Sequence, residues 1–305
     1  MTDGGATAGV QGVSAPSEDA VRRLLAPYFP DAPEGPRLVP VGEGGEHSAW
    51  WVGEHHVLRS APDTAATGRQ RREIALRSAV AARLPVAVPR SAAAGEWAPG
   101  LGWTLDVRLP GVSAERAPVG ADGERDLAGL LAGLRAFPVA EAAALGVPSA
   151  PARALPPLWR QVERAAGQVP VDPEALRRDA ERTGAAGERE VPTVLLHADL
   201  KGEHLLTGRG RVTGVLDWTD AVLGDPAEDI AGLIQSVGAP AALRVAEQAG
   251  YGRALAARAL HLVRCDTVVR LAERLRGEDD SPLPLLRAQR ARAWEPTVFD
   301  GPSEG

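Results

Sequence analysis

The stretch LLHADLKGEHLL places the carboxylate of Asp199 and the ammonium of Lys201 two residues apart, directly after an apolar run. Lys201 is the chain's one lysine, since the other basic residues among the 34 Lys+Arg are arginines. Eighteen residues past Asp199, a second apolar run ends at Asp217 in GVLDWTDAVLGDPAED. Phosphoryl transfer asks for such a set: an oriented nucleophile, metal ions on the phosphates and positive charge over the group in flight. Asp199 would accept the hydrogen bond of a substrate hydroxyl, Lys201 would lie on the phosphoryl oxygens, and Asp217 would offer a hard oxygen ligand to Mg²⁺. A single Asp after a strand usually caps a turn. HxDxK, a polar residue at Asp199 plus five and a second strand ending in Asp together outweigh that reading.

These groups need elements to hold them. Short strands are predicted at Val194–Leu196 and Arg211–Leu216, flanking the catalytic segment. Upstream, Ser17 followed by Glu18 and Asp19 caps a helix over 17–29. Apolar runs broken by Gly-rich turns in RLVPVGEGGEHSAWWVGEHHVLRSAP predict three antiparallel strands. A helix over 68–84 stops before Pro85, and PVAVPRSAAAGEW and GWTLDVRLPG add two strands. After Pro110 the pattern turns helical: Leu127, Leu130, Leu131, Leu134 and Phe137 make one stripe, helices follow at 156–166 and 172–183, and the chain from Pro226 on reads as helix. The expected class is α+β: a disordered tail over 1–16, a small antiparallel β-sheet lobe over 17–110, and a larger helical lobe over 111–305.

Bulk properties bound the partners. A chain of 305 residues exceeds what one core usually supports. Net charge −6 speaks against nucleic acid as partner. Membrane insertion is not expected, because no apolar run approaches the length of a bilayer span. The lone Cys265 fits a reducing, cytoplasmic setting as a buried small hydrophobe. His55 and His56 read as solvated turn residues.

HADLKGEHLL and GVLDWTDAVLGDPAEDIA resemble the catalytic and metal loops of the aminoglycoside and macrolide phosphotransferase family, small-molecule kinases with a bilobal, protein-kinase-like fold. The resemblance covers roughly residues 36–240. It implies Asp199 as catalytic base, Asp217 as main metal ligand and His197 as a brace. The family's second metal ligand is usually Asn; here it is His204, as is similar in macrolide phosphotransferases. Mg²⁺ prefers oxygen, whereas imidazole suits softer metals.

On the nucleotide side, GEGGEHSAW would let backbone approach phosphates at Gly44, Gly45 and Ser48. The resemblance implies a basic residue on the third strand paired with a helix glutamate, and Arg59 and Glu73 take those places. It also implies a hinge whose backbone, at Asp106, Val107, Arg108 and Leu109, meets the purine of ATP or GTP.

The acceptor is expected to be a small hydroxyl-bearing molecule, because the short run from Asp217 to Asp225 leaves no activation segment for a peptide. Asp220, Asp266 and Trp294 are candidate substrate contacts. Asp225 and Pro226 read as a helix start and Asp229 as a brace. Three functions remain open at this point: an antibiotic O-phosphotransferase conferring resistance, a metabolic sugar or amino-alcohol kinase, and a nucleotide-binding pseudokinase.

Overall fold

The computed structural model of the chain describes residues 15–32, 34–41, 48–185 and 192–300, with Ser48 described through its backbone alone. Gly44, Gly45 and most of the expected N-terminal tail lie outside the described residues. The chain is α+β and forms two compact units. The first takes in the described residues up to Ile74 together with Pro89–Arg108, and the second takes in Ala75–Val88 and those from Leu109 onward.

In the first unit, α1 (Glu18–Leu25) starts where expected, with the Ser17 hydroxyl accepting the Ala20 N–H at 3.3 Å. The expected helix to residue 29 gives way to a 3₁₀ turn over Ala26–Tyr28, where Pro27 cannot supply an N–H. Strands β1 (Leu38–Pro40), β2 (Ser48–Val52), β3 (His56–Ser60), β4 (Ser91–Ala98) and β5 (Leu101–Val107) form one antiparallel sheet in the order β1-β2-β3-β5-β4. One face of the sheet is closed by a small core in which Val21 and Leu25 of α1 meet Val52, Leu58, Trp103 and Leu105. Arg59 of β3 stands opposite Thr104 of β5.

Helix α2 spans Thr64–Val80, four residues earlier at each end than predicted. Its start is set by Asp63, whose carboxylate takes the Ala66 N–H at 2.7 Å. Its end is set by the N–H groups of Arg83 and Leu84 folding back on the Val80 carbonyl ahead of Pro85. The unit division falls within this helix, so Ala75–Val88 packs with the second unit although it lies inside the range 17–110.

The second unit begins with β6 (Val112–Ser113), α3 (Ala121–Ala136), α4 (Val139–Ala144), α5 (Leu155–Ala165) and α6 (Pro173–Thr183). The Leu127, Leu130, Leu131 and Leu134 stripe of α3 is fully buried, as its spacing predicts. Strands β7 (Val194–Leu196) and β10 (Val222–Gly224) pair antiparallel, and β8 (Leu205–Gly208) lies between β6 and β9 (Arg211–Val215). The chain then continues through α7 (Ala227–Val237), α8 (Ala239–Gln248), α9 (Arg253–Arg276) and α10 (Leu283–Ala293). The Asp199–Lys201 segment is the β7–β8 connection and the Asp217 segment is the β9–β10 connection. Both leave from pieces of sheet anchored in the main apolar core by Leu195, Leu205, Val212 and Val215.

Candidate active site

The β7–β8 connection is shaped by three buried contacts. His197 is fully buried; its Nε2 lies 2.9 Å from the Leu216 carbonyl, and its Nδ1 receives the Asp199 N–H at 3.2 Å. One neutral tautomer satisfies both: Nε2 carries the proton and Nδ1 accepts. Burial pushes its pKa down to about 4, so it stays neutral. Trp218 packs edge-on against this ring, centroids 4.8 Å apart. His197 is thus the brace that the resemblance implied, tying the two connections together.

Asp229, in the first turn of α7, supplies the second contact. Its Oδ2 accepts the His197 N–H at 2.9 Å and its Oδ1 the Ala198 N–H at 2.7 Å. Burial raises its pKa to about 7, and the two amide donors pull the other way. Ala198 is held at φ 66, a left-handed conformation that costs a non-glycine residue about 1–2 kcal/mol. The third contact is α7 itself. Ser236 Oγ donates to the Leu200 carbonyl at 2.8 Å, and a Cβ on Gly232 would sit 3.3 Å from the Leu200 nitrogen, so a small residue lets the helix back against the loop.

Asp199, Lys201 and His204 stand on this base. Asp199 is 17% exposed, and its Oδ1 lies 2.7 Å from Lys201 Nζ. Its Oδ2 lies 3.2 Å from His204 Nδ1, which also meets the Asp199 carbonyl at 2.9 Å. Burial alone would raise the Asp199 pKa, but the hydrogen bonds from His204 and Lys201 outweigh it and hold the carboxyl well below the usual range. Asp199 is therefore an anion with an acceptor face, able to take a hydroxyl hydrogen bond. On the far side of the loop, Ser113 Oγ donates to the Gly202 carbonyl at 2.9 Å. There Glu115, gripped by Arg292 Nη1 at 3.0 Å to both oxygens, fills the space where a Gly202 Cβ would stand.

Asp217 also lies at positive φ, 55°, with its Oδ1 receiving the Thr219 N–H at 3.3 Å. Its side chain is 47% exposed, and its Oδ2 lies 3.9 Å from His204 Nε2. Mg²⁺ commonly takes one or two protein ligands and completes its shell with phosphate oxygens and water. The half-exposed carboxylate, with the one His204 nitrogen that is not committed to Asp199 turned toward it, fits that pattern. Among the described residues no group of three or more His, Cys, Asp or Glu forms a self-sufficient metal cage. His204 itself is pushed up to about 9: burial lowers its pKa, but hydrogen bonding to Asp199 and the Asp199 and Asp217 charges raise it further. The pair thus fits a cation held chiefly by Asp217, to which His204 adds a lone pair only once its Nε2 has given up its proton.

A cavity of about 540 Å³ opens beside Asp199 and Lys201. One face of α7 lines it through Glu228, Gly232 and Gln235, at helical spacing, and α9 lines it through Asp266 and Arg270. Asp266, a candidate substrate contact in the sequence, thus lines the same cavity as Asp199. Trp294 is not among the lining residues. Its indole packs against the core with its Nε1–H toward Thr267 Oγ1 at 3.4 Å, and the guanidinium groups of Arg264 and Arg290 lie over the ring. Asp220 is an exposed turn residue outside the lining. Arg153, which meets Glu228 and Asp266, and Glu228 itself were not signalled by the sequence. Glu228 was legible in principle, as the acidic neighbour of Asp229 one turn before Gly232.

In the first unit, Arg59 Nη2 donates to Glu73 Oε2 at 2.9 Å, the expected pairing. The Asp106 side chain is a further partner, with Oδ2 3.2 Å from Arg59 Nε, while Ser91 Oγ donates to Oδ1 at 2.5 Å. Two N–H groups in the stretch whose backbone is expected to meet a purine are engaged within the protein. The Val107 N–H is committed to the Arg90 carbonyl and the Arg108 N–H to the His55 carbonyl, each at 2.8 Å. Leu109 belongs to the second unit, where its side chain fills the space above Gly214. Among the described residues no helix is long and apolar enough to cross a membrane.

Residues 37–261 match the model of the phosphotransferase enzyme family. Viomycin phosphotransferase of Streptomyces vinaceus is 32% identical over 157 residues, which span 47% of this chain and 53% of that enzyme, so the chain aligns with about half the length of this relative. Among solved structures, the GDP complex of wild-type aminoglycoside 2′-phosphotransferase-IIIa is similar at TM-score 0.67 and 23% identity, over 90% of this chain and 99% of that one. The macrolide 2′-phosphotransferase MphH of Brachybacterium faecium, as apoenzyme, is similar at TM-score 0.59 and 24% identity, over 92% and 98%.

Proposed function

The chain belongs to the phosphotransferase enzyme family, and from that membership we propose that it transfers the γ-phosphoryl group of ATP or GTP to a hydroxyl of an antibiotic, giving resistance. The observation that carries the reading is the ionised Asp199, held 2.7 Å from the ammonium of Lys201 at the wall of a cavity of small-molecule size. An acceptor hydroxyl hydrogen-bonded to the Asp199 carboxylate is oriented for attack and passes its proton there as the new O–P bond forms. The bond from the γ-phosphorus to the β–γ bridging oxygen breaks, and the nucleoside diphosphate leaves. Lys201 places positive charge beside the phosphoryl oxygens as charge shifts through the transition state.

Asp217, with His204, would hold Mg²⁺, which neutralises phosphate charge when bound. Arg59, fixed by Glu73 and Asp106, would meet the phosphates with its fork. We assign the first unit to nucleotide binding and the second to catalysis and acceptor binding. The viomycin, aminoglycoside and macrolide relatives support an antibiotic acceptor, and the GDP complex supports purine nucleotide use.

The test is nucleotide consumption with ATP and GTP, with Mg²⁺, against a panel of antibiotics and metabolic alcohols, recording product mass. An antibiotic heavier by one phosphoryl group supports the reading. Phosphorylation of a common metabolite alone, or nucleotide binding without transfer to any acceptor, overturns it.

A further inference from the structure

The charges around the cavity bear on which acceptor it takes, given the reading above that Asp199 activates an acceptor hydroxyl. Glu228 and Asp266 are the carboxylates that would draw in a cationic acceptor, and both are already engaged by a side chain of the protein. Arg153, in the segment leading into α5, reaches Glu228 through Nε at 2.7 Å and Nη2 at 2.8 Å. It reaches Asp266 through Nη1 at 2.7 Å and Nη2 at 2.9 Å. Four of the five guanidinium N–H bonds are thereby used, each charge-assisted. The arginine is fixed from behind: Arg258 Nη2 donates to the Arg153 carbonyl at 2.8 Å, and Arg258 Nε is anchored on Asp225 at 2.7 Å.

The remaining lining carboxylate, Asp199, is paired internally by Lys201. One turn from Asp266, Arg270 adds a second guanidinium to the wall, held by Asp279 at 3.3 Å and Ser281 Oγ at 2.9 Å. The cationic lining groups Arg153, Lys201 and Arg270 thus match the anionic groups Asp199, Glu228 and Asp266.

We propose that Arg153 occupies the cation position of the acceptor cavity, so that the acceptor is a hydroxyl-rich molecule carrying at most one cationic group and polycations are excluded. A polycation would have to bring its charge against the guanidinium or displace four charge-assisted hydrogen bonds. A neutral or singly charged polyol pays neither cost, because each carboxylate oxygen keeps a lone pair for a hydroxyl donor. Specificity here comes from a repulsive element as much as from an attractive one.

The test measures binding of spermine, a polycation without hydroxyls, by calorimetry on the full chain at low and at physiological salt. The proteins compared are wild type, Asp266→Asn, Arg153→Ala and Arg153→Ala/Asp266→Asn. The inference expects wild type to bind spermine weakly and to be indifferent to Asp266→Asn. It expects Arg153→Ala to bind about tenfold more tightly or better, with strong salt dependence, and the double variant, in which only Glu228 is still released, to lose part of that gain. In turnover, Arg153→Ala should move the kcat/KM ratio from a macrolide with a single amine toward an aminoglycoside with several, by about tenfold.

Equal spermine binding by wild type and Arg153→Ala overturns the inference. Should Arg153→Ala fail to fold, tight and salt-sensitive spermine binding by wild type that Asp266→Asn abolishes overturns it as well. Failure of the phosphotransferase reading is separate, appearing as no phosphoryl transfer to any acceptor, whereas spermine binding reports the cavity's charge in either case.

Discussion

The carboxylate of Asp229 accepts the backbone N–H of Ala198 at 2.7 Å, across a sequence distance of 31 residues. This bond and its twin to the His197 N–H fix the turn that presents Asp199. Replacing Asp229 by Ala leaves the buried His197 amide and the part-buried Ala198 amide without their acceptor, a loss of about 1–3 kcal/mol for the buried one and less for the other. The expected outcome is a lower melting temperature and a fall in kcat larger than the change in nucleotide KM. Unchanged kcat in a folded Asp229→Ala variant would contradict the bracing role. Ala198→Gly relieves the positive φ at this turn, so it should be neutral or stabilising by up to about 1 kcal/mol in denaturant unfolding, against the usual sign of Ala→Gly.

Gly202 abuts Glu115 so closely that an added Cβ would overlap its Oε1. Gly202→Ala must therefore push Glu115 off Arg292 or shift the loop that carries Lys201. We expect a drop in kcat of about tenfold or more, by the sensitivity of phosphoryl transfer to misplacement of its groups. Glu115→Ala in the same chain should restore much of it, measured as a double-mutant cycle; strictly additive losses would count against the clash.

His261 carries a pH prediction. Trp159 Nε1 donates to its Nε2 at 2.8 Å, which requires a neutral ring, and burial together with Arg264 and Arg258 lowers its pKa to about 4. The unfolded chain binds that proton near pH 6.5 and the folded chain does not. Stability from this group is therefore full above about pH 6.5 and is lost as pH falls toward 4. His197 acts in the same direction and the raised Asp229 in the opposite one, so the informative quantity is a difference between variants. His261→Gln, which keeps an acceptor for Trp159, should show a shallower loss of unfolding free energy on acidification, by on the order of 1–3 kcal/mol across the window, measured by denaturant unfolding at each pH. Parallel pH profiles for the two proteins would refute the assignment.

Arg59 tests the nucleotide side. With Arg59→Ala, nucleotide KM should rise about tenfold or more while acceptor KM changes little, and Arg59→Lys should recover part of the loss. A shift confined to the acceptor would contradict the phosphate role.

Local patterns made the site's core readable in the sequence. Asp199, Lys201, His204 and Asp217 follow from two short loops whose strands are marked by Val194–Leu196 and Arg211–Val215, and the buried leucine stripe of α3 follows from its period. Long-range ion pairing was not readable. Arg153 and Asp266 are 113 residues apart, and nothing in either local context marks the partnership. Asp266 was therefore legible as an acidic lining residue but not as one already engaged. Trp294 failed as a lining residue for a physical reason: an indole at helical spacing buries best against its neighbouring helix, and it does so beside Thr267. The amides of Val107 and Arg108 are taken by Arg90 and His55, because the strand ladder claims its N–H groups before any ligand can.

The most direct test of the central claim is product mass from wild type, Asp199→Ala and Asp217→Ala under identical nucleotide, Mg²⁺ and antibiotic. The account predicts an antibiotic heavier by one phosphoryl group from wild type, a kcat reduced roughly 10²–10⁴-fold in Asp199→Ala with nucleotide binding retained, and loss of metal-dependent transfer in Asp217→Ala. Near-wild-type turnover by Asp199→Ala, or Mg²⁺-dependent transfer by Asp217→Ala, would contradict it.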